Sequence, residues 1–284
     1  MSGRRLRITH RTGYRYAAPV VASFNEVRMT PATADGQMLL SHQLQVSPRA
    51  SVQAYVDYWG ALVQSFDVQE EHDMLEIVAS SLVDVPHGHL AAPGLDWKAL
   101  RDPSVLDRWG EYLEPTDLVD DATADELRAP IVEQLGGLPS PALAVRGAVE
   151  AVRDRIRYDD AATGVTTTAA QAWEIGAGVC QDYSHTLLSI LRGLRIPSRY
   201  VSGYLHDEEE QQGRTVVGES HAWVEVWNGA WEAHDPTNDR SVGSAHVVVA
   251  KGRDYADVPP LKGIYAGGLS ESLGVSVEIT QLEA

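Results

Sequence analysis

The chain holds one cysteine, Cys180, and ten histidines. A lone cysteine is most often a small buried hydrophobe, but the setting of this one gives it a second reading. Gly176-Ala177-Gly178-Val179-Cys180 is a glycine-rich turn, and Leu187, Leu188 and Leu191 beyond it form the apolar stripe of a helix. The thiol therefore falls at a first helical turn, where backbone N–H groups lack acceptors and the dipole is positive. Both favour a thiolate. The same N–H groups can face an oxyanion. Such a thiol is suited to attack a carbonyl, and it then needs a base and a group that orients the base.

His185 follows Cys180 by five residues, about 140° round the helix and roughly 7 Å along it, so it points away and reads as structural. His221 is the candidate base. It opens His221-Ala222-Trp223-Val224-Glu225-Val226-Trp227, an alternating strand, and Asn228-Gly229 marks a hairpin. The return strand Ala230–Asp235 stops at Pro236. A two-residue loop pairs Trp227 with Ala230 and sends Asp235 to the face opposite His221. A three-residue loop, Trp227-Asn228-Gly229 with Gly229 left-handed, pairs Val226 with Ala230 and sets Asp235 across from His221. The second register, or an equivalent bulge, is expected, with Asp235 as the orienter. His234 then faces away, and Asp239 is a reserve orienter in a turn. Trp223 shares the face of His221; it either shields the base from water or is a plain core residue.

The elements that must hold these residues follow from pattern. Ser140 and Pro141 suit a helix start, and Val145, Val149, Val152 and Ile156 share one helical face, predicting a helix that ends near Tyr158-Asp159-Asp160. A Thr-rich connector, Thr163 to Thr168, leads to the glycine turn. Gly193 and Pro197 end the nucleophile's helix, and Tyr200–Leu205 reads as a strand. Residues 1–85 read as an all-β domain, with alternation from Leu6 to Tyr16 and in His42–Val46, Val52–Tyr58, Leu62–Val68 and Met74–Ser80, which suggests a sandwich. His72 and Asp73 read there as solvated loop. Residues 86–139 read as a connector with short helices, acidic around Asp117–Arg128, and residues 140–284 as the core with a C-terminal tail.

Composition bounds the rest. With 284 residues, 44% hydrophobic and 22% charged, the chain is of ordinary globular character, one large domain or two modest ones. A formal charge of −17 argues against nucleic acid and acidic lipid as partners. One cysteine rules out an internal disulfide and a Cys₄ zinc site. The N-terminal MSGRRLRITHR lacks the apolar core of a signal peptide, and no run is long enough to span a membrane, so a cytoplasmic location is expected. His87-Gly88-His89 lacks a third ligand, and Asp207-Glu208-Glu209-Glu210 lacks the alternation of a calcium loop; both read as loops, and no metal or cofactor is expected.

GAGVCQDYSH, RIPSRYVSGYL, HAWVEVW and DPTN together resemble the transglutaminase-like superfamily of cysteine enzymes. Cys180, His221 and Asp235 match that family's Cys-His-Asp triad in order. The N-terminal region, RDYADVPPLKGIYAG and VSVEITQL resemble its bacterial subgroup. The resemblance implies an α+β fold: an N-terminal β-sandwich followed by a papain-like core, with the nucleophile at a helix N-terminus and base and orienter on neighbouring strands. It also implies acyl transfer through a thioester on a peptide or amide substrate. Water gives hydrolysis and an amine gives transamidation; proteins of this kind are commonly described as candidate cysteine proteases, which favours hydrolysis. Gln181 matches the family's polar residue after the nucleophile, and the Tyr158 hydroxyl is a candidate second oxyanion donor; a helix-surface place for Gln181 and a core place for Tyr158 are the competing readings. The alternative function is a non-catalytic protein-binding module on the same scaffold.

Overall fold

The computed structural model describes residues 3–86, 93–120, 124–206, 215–218, 220–238, 241–267 and 269–282. The His87/His89 pair, the Asp207–Glu210 run and Asp239 lie outside them.

Six strands come first: β1 (Arg4–Val20), β2 (Ala22–Val27), β3 (Met38–Ser47), β4 (Val52–Val56), β5 (Leu62–Val68) and β6 (His72–Val85). Strand β2 escapes a hydrophobic-alternation reading because its polarity is inverted: Ser23 and Asn25 point inward, while Phe24 is exposed. Its inward polar groups are satisfied. Asn25 donates to Ser23 Oγ at 3.2 Å, and Ser23 Oγ lies 3.2 Å from His72 Nε2. This corrects the reading of His72 as solvated loop: it is buried at the start of β6, and its Nδ1 also meets the Glu70 carbonyl at 2.7 Å.

The middle of the chain is helical: α1 (Trp97–Leu100), α2 (Pro103–Trp109), a 3₁₀ turn over Gly110–Leu113, and α3 (Ala124–Gly136). The core follows as α4 (Pro141–Arg155), β7 (Arg157–Tyr158), α5 (Ala169–Ile175), β8 (Ala177–Gly178), α6 (Cys180–Gly193), β9 (Ser198–Leu205), β10 (Thr215–Gly218), β11 (Ser220–Trp227), β12 (Trp231–His234) and β13 (His246–Gly252). Strands β14 (Leu261–Ala266), β15 (Ser270–Ser272) and β16 (Ser276–Leu282) close the chain.

Helix α4 starts as its sequence dictates, with Ser140 Oγ accepting the Leu143 N–H and Pro141 in the first turn. It stops at Arg155, short of the expected end, because Ile156 is extended and Arg157 and Tyr158 pair in parallel with Ala177 and Gly178. Helix α5 lies between the Thr-rich connector and the glycine turn, a stretch for which the sequence reading names no element. Its start is a reciprocal cap: Gln171 N–H donates to Thr168 Oγ1 and Thr168 N–H to Gln171 Oε1, at 3.3 and 3.0 Å.

The N-terminal strands form two sheets, one ordered β10-β16-β1-β6-β3 with β15 also on β1, the other β14-β2-β5-β4. They enclose Tyr16, Val20, Val27, Met29, Phe66, Val68, Leu75 and Ile77. The tail that the sequence groups with residues 140–284 is therefore divided. Strand β16 pairs with β1, Ile279 opposite Ile8, and β14 pairs with β2, Ile264 opposite Phe24. The pairing covers strand edges of the sandwich that would otherwise stay open. It also buries Val277 and Ile279 beside Leu6 and Ile8.

The third sheet, β12-β11-β9-β13, carries the candidate site. Its Tyr200, Ala222, Val224 and Val226 share one core with Leu187, Leu188 and Leu191 of α6, Val145 and Val152 of α4, and Leu6, Ile8 and Val83 of the first sheet. Strands β1 and β6 thus serve both cores. Gln37 makes a further tie: its Oε1 accepts the Val248 N–H, and its Nε2 donates to the Val248 carbonyl, both at 2.9 Å. Those bonds fall where the pairing of β13 with β9 slips between Val248 and Ala250.

Candidate active site

Cys180 is the first residue of α6 and is partly buried. The turn before it is fixed from two sides. Gly176 leaves α5 in a left-handed conformation, φ 71°. Gly178 lies against Asp182, so closely that a Cβ there would stand 2.4 Å from Asp182 Oδ2. That oxygen accepts the Val179 N–H at 2.8 Å and the Thr163 hydroxyl at 2.6 Å. Asp182 thus caps its own helix and fastens the connector to it. Burial pushes its carboxyl up, against the pull of these hydrogen bonds. With Val179 served, the Cys180 N–H has no acceptor among the described residues, and it is available to an oxyanion.

His221 Nε2 lies 2.8 Å from Asp235 Oδ2. Asn238 Nδ2 stands 3.4 Å from the same ring nitrogen, so the Nε2 edge is taken. The Cys180 thiol is near enough to the ring to favour its charged form, and Nδ1 is the nitrogen left to face it. Burial works against a charge on His221; hydrogen bonds to Asp235 and Cys180 and the charges of both outweigh it and push the ring up to about 9.

The hairpin reaches this arrangement by its own route. The loop has three residues and Gly229 is left-handed, φ 89°, but the loop is Asn228-Gly229-Ala230, and Trp227 pairs with Trp231. The register expected from sequence is therefore displaced, while the faces agree. Val224 pairs with His234, so continuation sets Asp235 opposite Trp223, one step diagonal to His221. Asp235 lies just past β12, where its Oδ1 accepts the N–H groups of Thr237 and Asn238 at 3.0 and 3.1 Å. Its Oδ2 also accepts from Asn238 Nδ2 at 3.0 Å and meets His246 Nε2 at 3.2 Å. Burial alone would raise this carboxyl; the hydrogen bonds of His221 and His246, the His221 charge and Asn238 hold it far below the usual carboxylate range.

Trp223 is fully buried and stacks on His221, ring centroids 6.0 Å apart at 28°. It is at once a core residue and a cover for the His221 ring. His185 is buried; its Nε2 accepts the Tyr255 N–H at 3.2 Å, and burial, with the Arg192 charge, lowers it to about 3. His234 pairs with Val224 on the alternate face, and burial lowers it too. Gln181 is buried, not on the helix surface: its amide donates to the Val165 carbonyl at 3.1 Å and so holds the connector. Tyr158 has its backbone beside Gly178 and its side chain half exposed.

His246, Asn238 and Asp182 were not singled out from sequence. Asn238 closes the DPTN motif and Asp182 is the third residue of α6, a capping position, which were available signals. His246 gave none. His221 Nε2, Asp235 Oδ2 and His246 Nε2 lie within 4.8 Å of one another and are the atoms that could hold a metal ion. Beyond Trp223 and His246 a cleft of about 570 Å³ is lined by Trp227, Trp231, Ala233 and Val242, with Gly36 and Pro86 of the N-terminal region.

Comparison with known proteins agrees with this architecture. Residues 6–84 match the bacterial transglutaminase-like N-terminal region, and residues 129–236 match the transglutaminase-like superfamily. The chain belongs to the transglutaminase-like superfamily. An uncharacterized protein of Mycobacterium leprae is 39% identical over 279 residues, covering 98% of this chain and 99% of that protein. A protein-glutamine gamma-glutamyltransferase of Pseudomonas aeruginosa is 32% identical over 81 residues, 27% of this chain and 12% of that one. The crystal structure of a candidate cysteine protease from Cytophaga hutchinsonii shares the fold, with a TM-score of 0.78 at 20% identity over 100% of this chain and 92% of that one. The α+β class, the strand-rich N-terminal region and the papain-like core are those expected. No helix among the described residues is long and apolar enough to cross a membrane.

Proposed function

We propose that the protein is a cysteine-dependent acyl-transfer enzyme that works through a thioester, with Cys180 as nucleophile, His221 as base and acid, and Asp235 as orienter. Hydrolysis of a peptide or amide bond is the favoured outcome. The observation that carries this reading is a buried imidazole held at 2.8 Å by a carboxylate on Nε2 while the only thiol of the chain stands near the same ring and favours its charged form.

The geometry supports the following steps. The thiol proton passes to His221 Nδ1, giving a thiolate and an imidazolium whose charge Asp235 offsets. The thiolate attacks the substrate carbonyl, and the Cys180 N–H faces the developing oxyanion. The tetrahedral adduct collapses as His221 returns its proton to the departing amine, and the C–N bond breaks. Water, deprotonated by His221, then adds to the thioester, and the acid leaves with the C–S bond broken. A primary amine in place of water gives a new amide; the gamma-glutamyltransferase name of one relative is what supports that second outcome.

The test is a panel of peptide and amide substrates, with and without an added primary amine, on the parent and Cys180→Ala proteins. Turnover by the parent that vanishes in the folded variant is expected. Biological activity unchanged by Cys180→Ala would replace the enzyme with a binding module.

A further inference from the structure

We infer that His246 is a positioning residue of this site, acting through Asp235; the inference rests on the acyl-transfer reading above. His246 is 3% exposed, at the start of β13, with its ring edge-on to Trp223 at 5.3 Å. Its protonation is fixed by neighbours. The Gly243 N–H donates to Nδ1 at 3.3 Å, so Nδ1 is the acceptor and the ring's proton sits on Nε2. Nε2 is the atom that meets Asp235 Oδ2, at 3.2 Å. His246 is therefore a donor to the oxygen that also holds His221.

The arrangement is a chain of contacts: hydrogen bonds join His246 to Asp235 and Asp235 to His221, and the Cys180 thiol stands near the His221 ring. Two backbone N–H groups pin Oδ1. Oδ2 is the oxygen that must point at His221, and it is the one His246 grips from a different strand. Its other partner, Asn238, lies three residues along the same loop and moves with Asp235. His246 thus ties the carboxylate to the sheet. The protonated Nε2 also makes the three close atoms a hydrogen-bonded chain; a metal ion there would have to displace that proton.

The probe is iodoacetamide, and the readout is the rate of Cys180 alkylation at pH 7, with a melting curve for each protein. Gln carries a donor near the place of Nε2. Asn reaches only the place of Nδ1 and cannot bridge to Asp235. His246→Leu and His246→Asn should slow alkylation by roughly tenfold to a hundredfold, the size of one hydrogen bond to a charged group. His246→Gln should recover to within about threefold, since it restores that bond. In an Asp235→Ala background, His246→Asn should change the rate by less than about twofold, because the shared partner is gone.

A folded His246→Asn protein that alkylates as fast as the parent would overturn the inference, as would a Gln variant as slow as Asn, or an equal loss without Asp235. If His246→Leu does not fold, the Asn and Gln pair carries the comparison. A parent that alkylates no faster than a free thiol sinks the acyl-transfer reading and this role with it; a fast parent with fast variants sinks only the role of His246.

Discussion

His221 and Asp235 meet at 2.8 Å from positions that are not opposite one another in their hairpin. A directly opposed pair would have needed the loop to fall one residue earlier. Instead Trp223 takes the opposed place and stacks on His221, while Asp235, freed of strand pairing just beyond β12, reaches back along the diagonal. The diagonal leaves the second carboxylate oxygen for two backbone N–H groups, so one side chain both orients the imidazole and closes the turn at Pro236.

That coupling gives the fold a pH signature. His221 is raised from 6.5 to about 9, so the folded state favours its charged form. The stability this contributes is complete below pH 6.5 and is lost as pH rises through about 9. Asp235 has the opposite sign: its contribution is present above the ordinary carboxylate range and is lost only in strong acid. Melting temperatures from pH 6 to 10 should fall for the parent across the upper window and stay flatter for His221→Gln. Parallel curves would contradict the pairing.

Asp235→Ala should remove orientation without removing the nucleophile. Turnover should drop on the order of 10³–10⁴-fold, as when a triad carboxylate is lost. The change also strips the acceptor from two imidazoles and two backbone N–H groups, so the fold should lose roughly 1–3 kcal/mol or more. Chemical denaturation and steady-state rates measure the two losses separately.

Trp223 separates covering from polarity. Its indole nitrogen is buried without a hydrogen-bond partner among the described residues, so Trp223→Phe gives up no polar bond seen there and keeps an aromatic face on His221. It should cost far less than Trp223→Ala, for which about 3–5 kcal/mol is expected. Denaturation midpoints check the order; equal losses would show that the stacking contributes nothing.

The clamp at the Cys180 turn is tested by Thr163→Val, which keeps shape and removes the hydroxyl given to Asp182 Oδ2. Asp182 is already buried, so the loss should cost about 1–3 kcal/mol. Gly178→Ala attacks the same turn by crowding, since Asp182 must yield to a Cβ 2.4 Å away. Both proteins should alkylate at Cys180 more slowly than the parent; a normal rate in either would free Asp182 of any part in setting the turn.

Much of the site was legible because its signals are local. Cys180 sits at the boundary between a glycine turn and an apolar stripe, and alternation together with a three-residue loop puts His221 and Asp235 on one face. The loop position was not legible, because Asn228-Gly229 fits a three-residue loop that starts at Trp227 or at Asn228, and the tryptophans decide: Trp227 and Trp231 pair, their rings 5.5 Å apart. Strand β2 was hidden by its inward Ser23 and Asn25, and β16 gave no hint of its partner because β1 is more than 250 residues away. His246 reaches the site only through sheet order, by the pairing of β13 with β9. Contacts made across a sheet leave no spacing to read.

The central claim, that Cys180 and His221 share a proton in a pair anchored by Asp235, is most directly tested by the rate of Cys180 alkylation with iodoacetamide from pH 4 to 10. The account predicts a rate well above that of glutathione at neutral and mildly acid pH. It also predicts that the excess collapses in His221→Gln. A rate that follows the free thiol over the whole range, with or without His221, would contradict it.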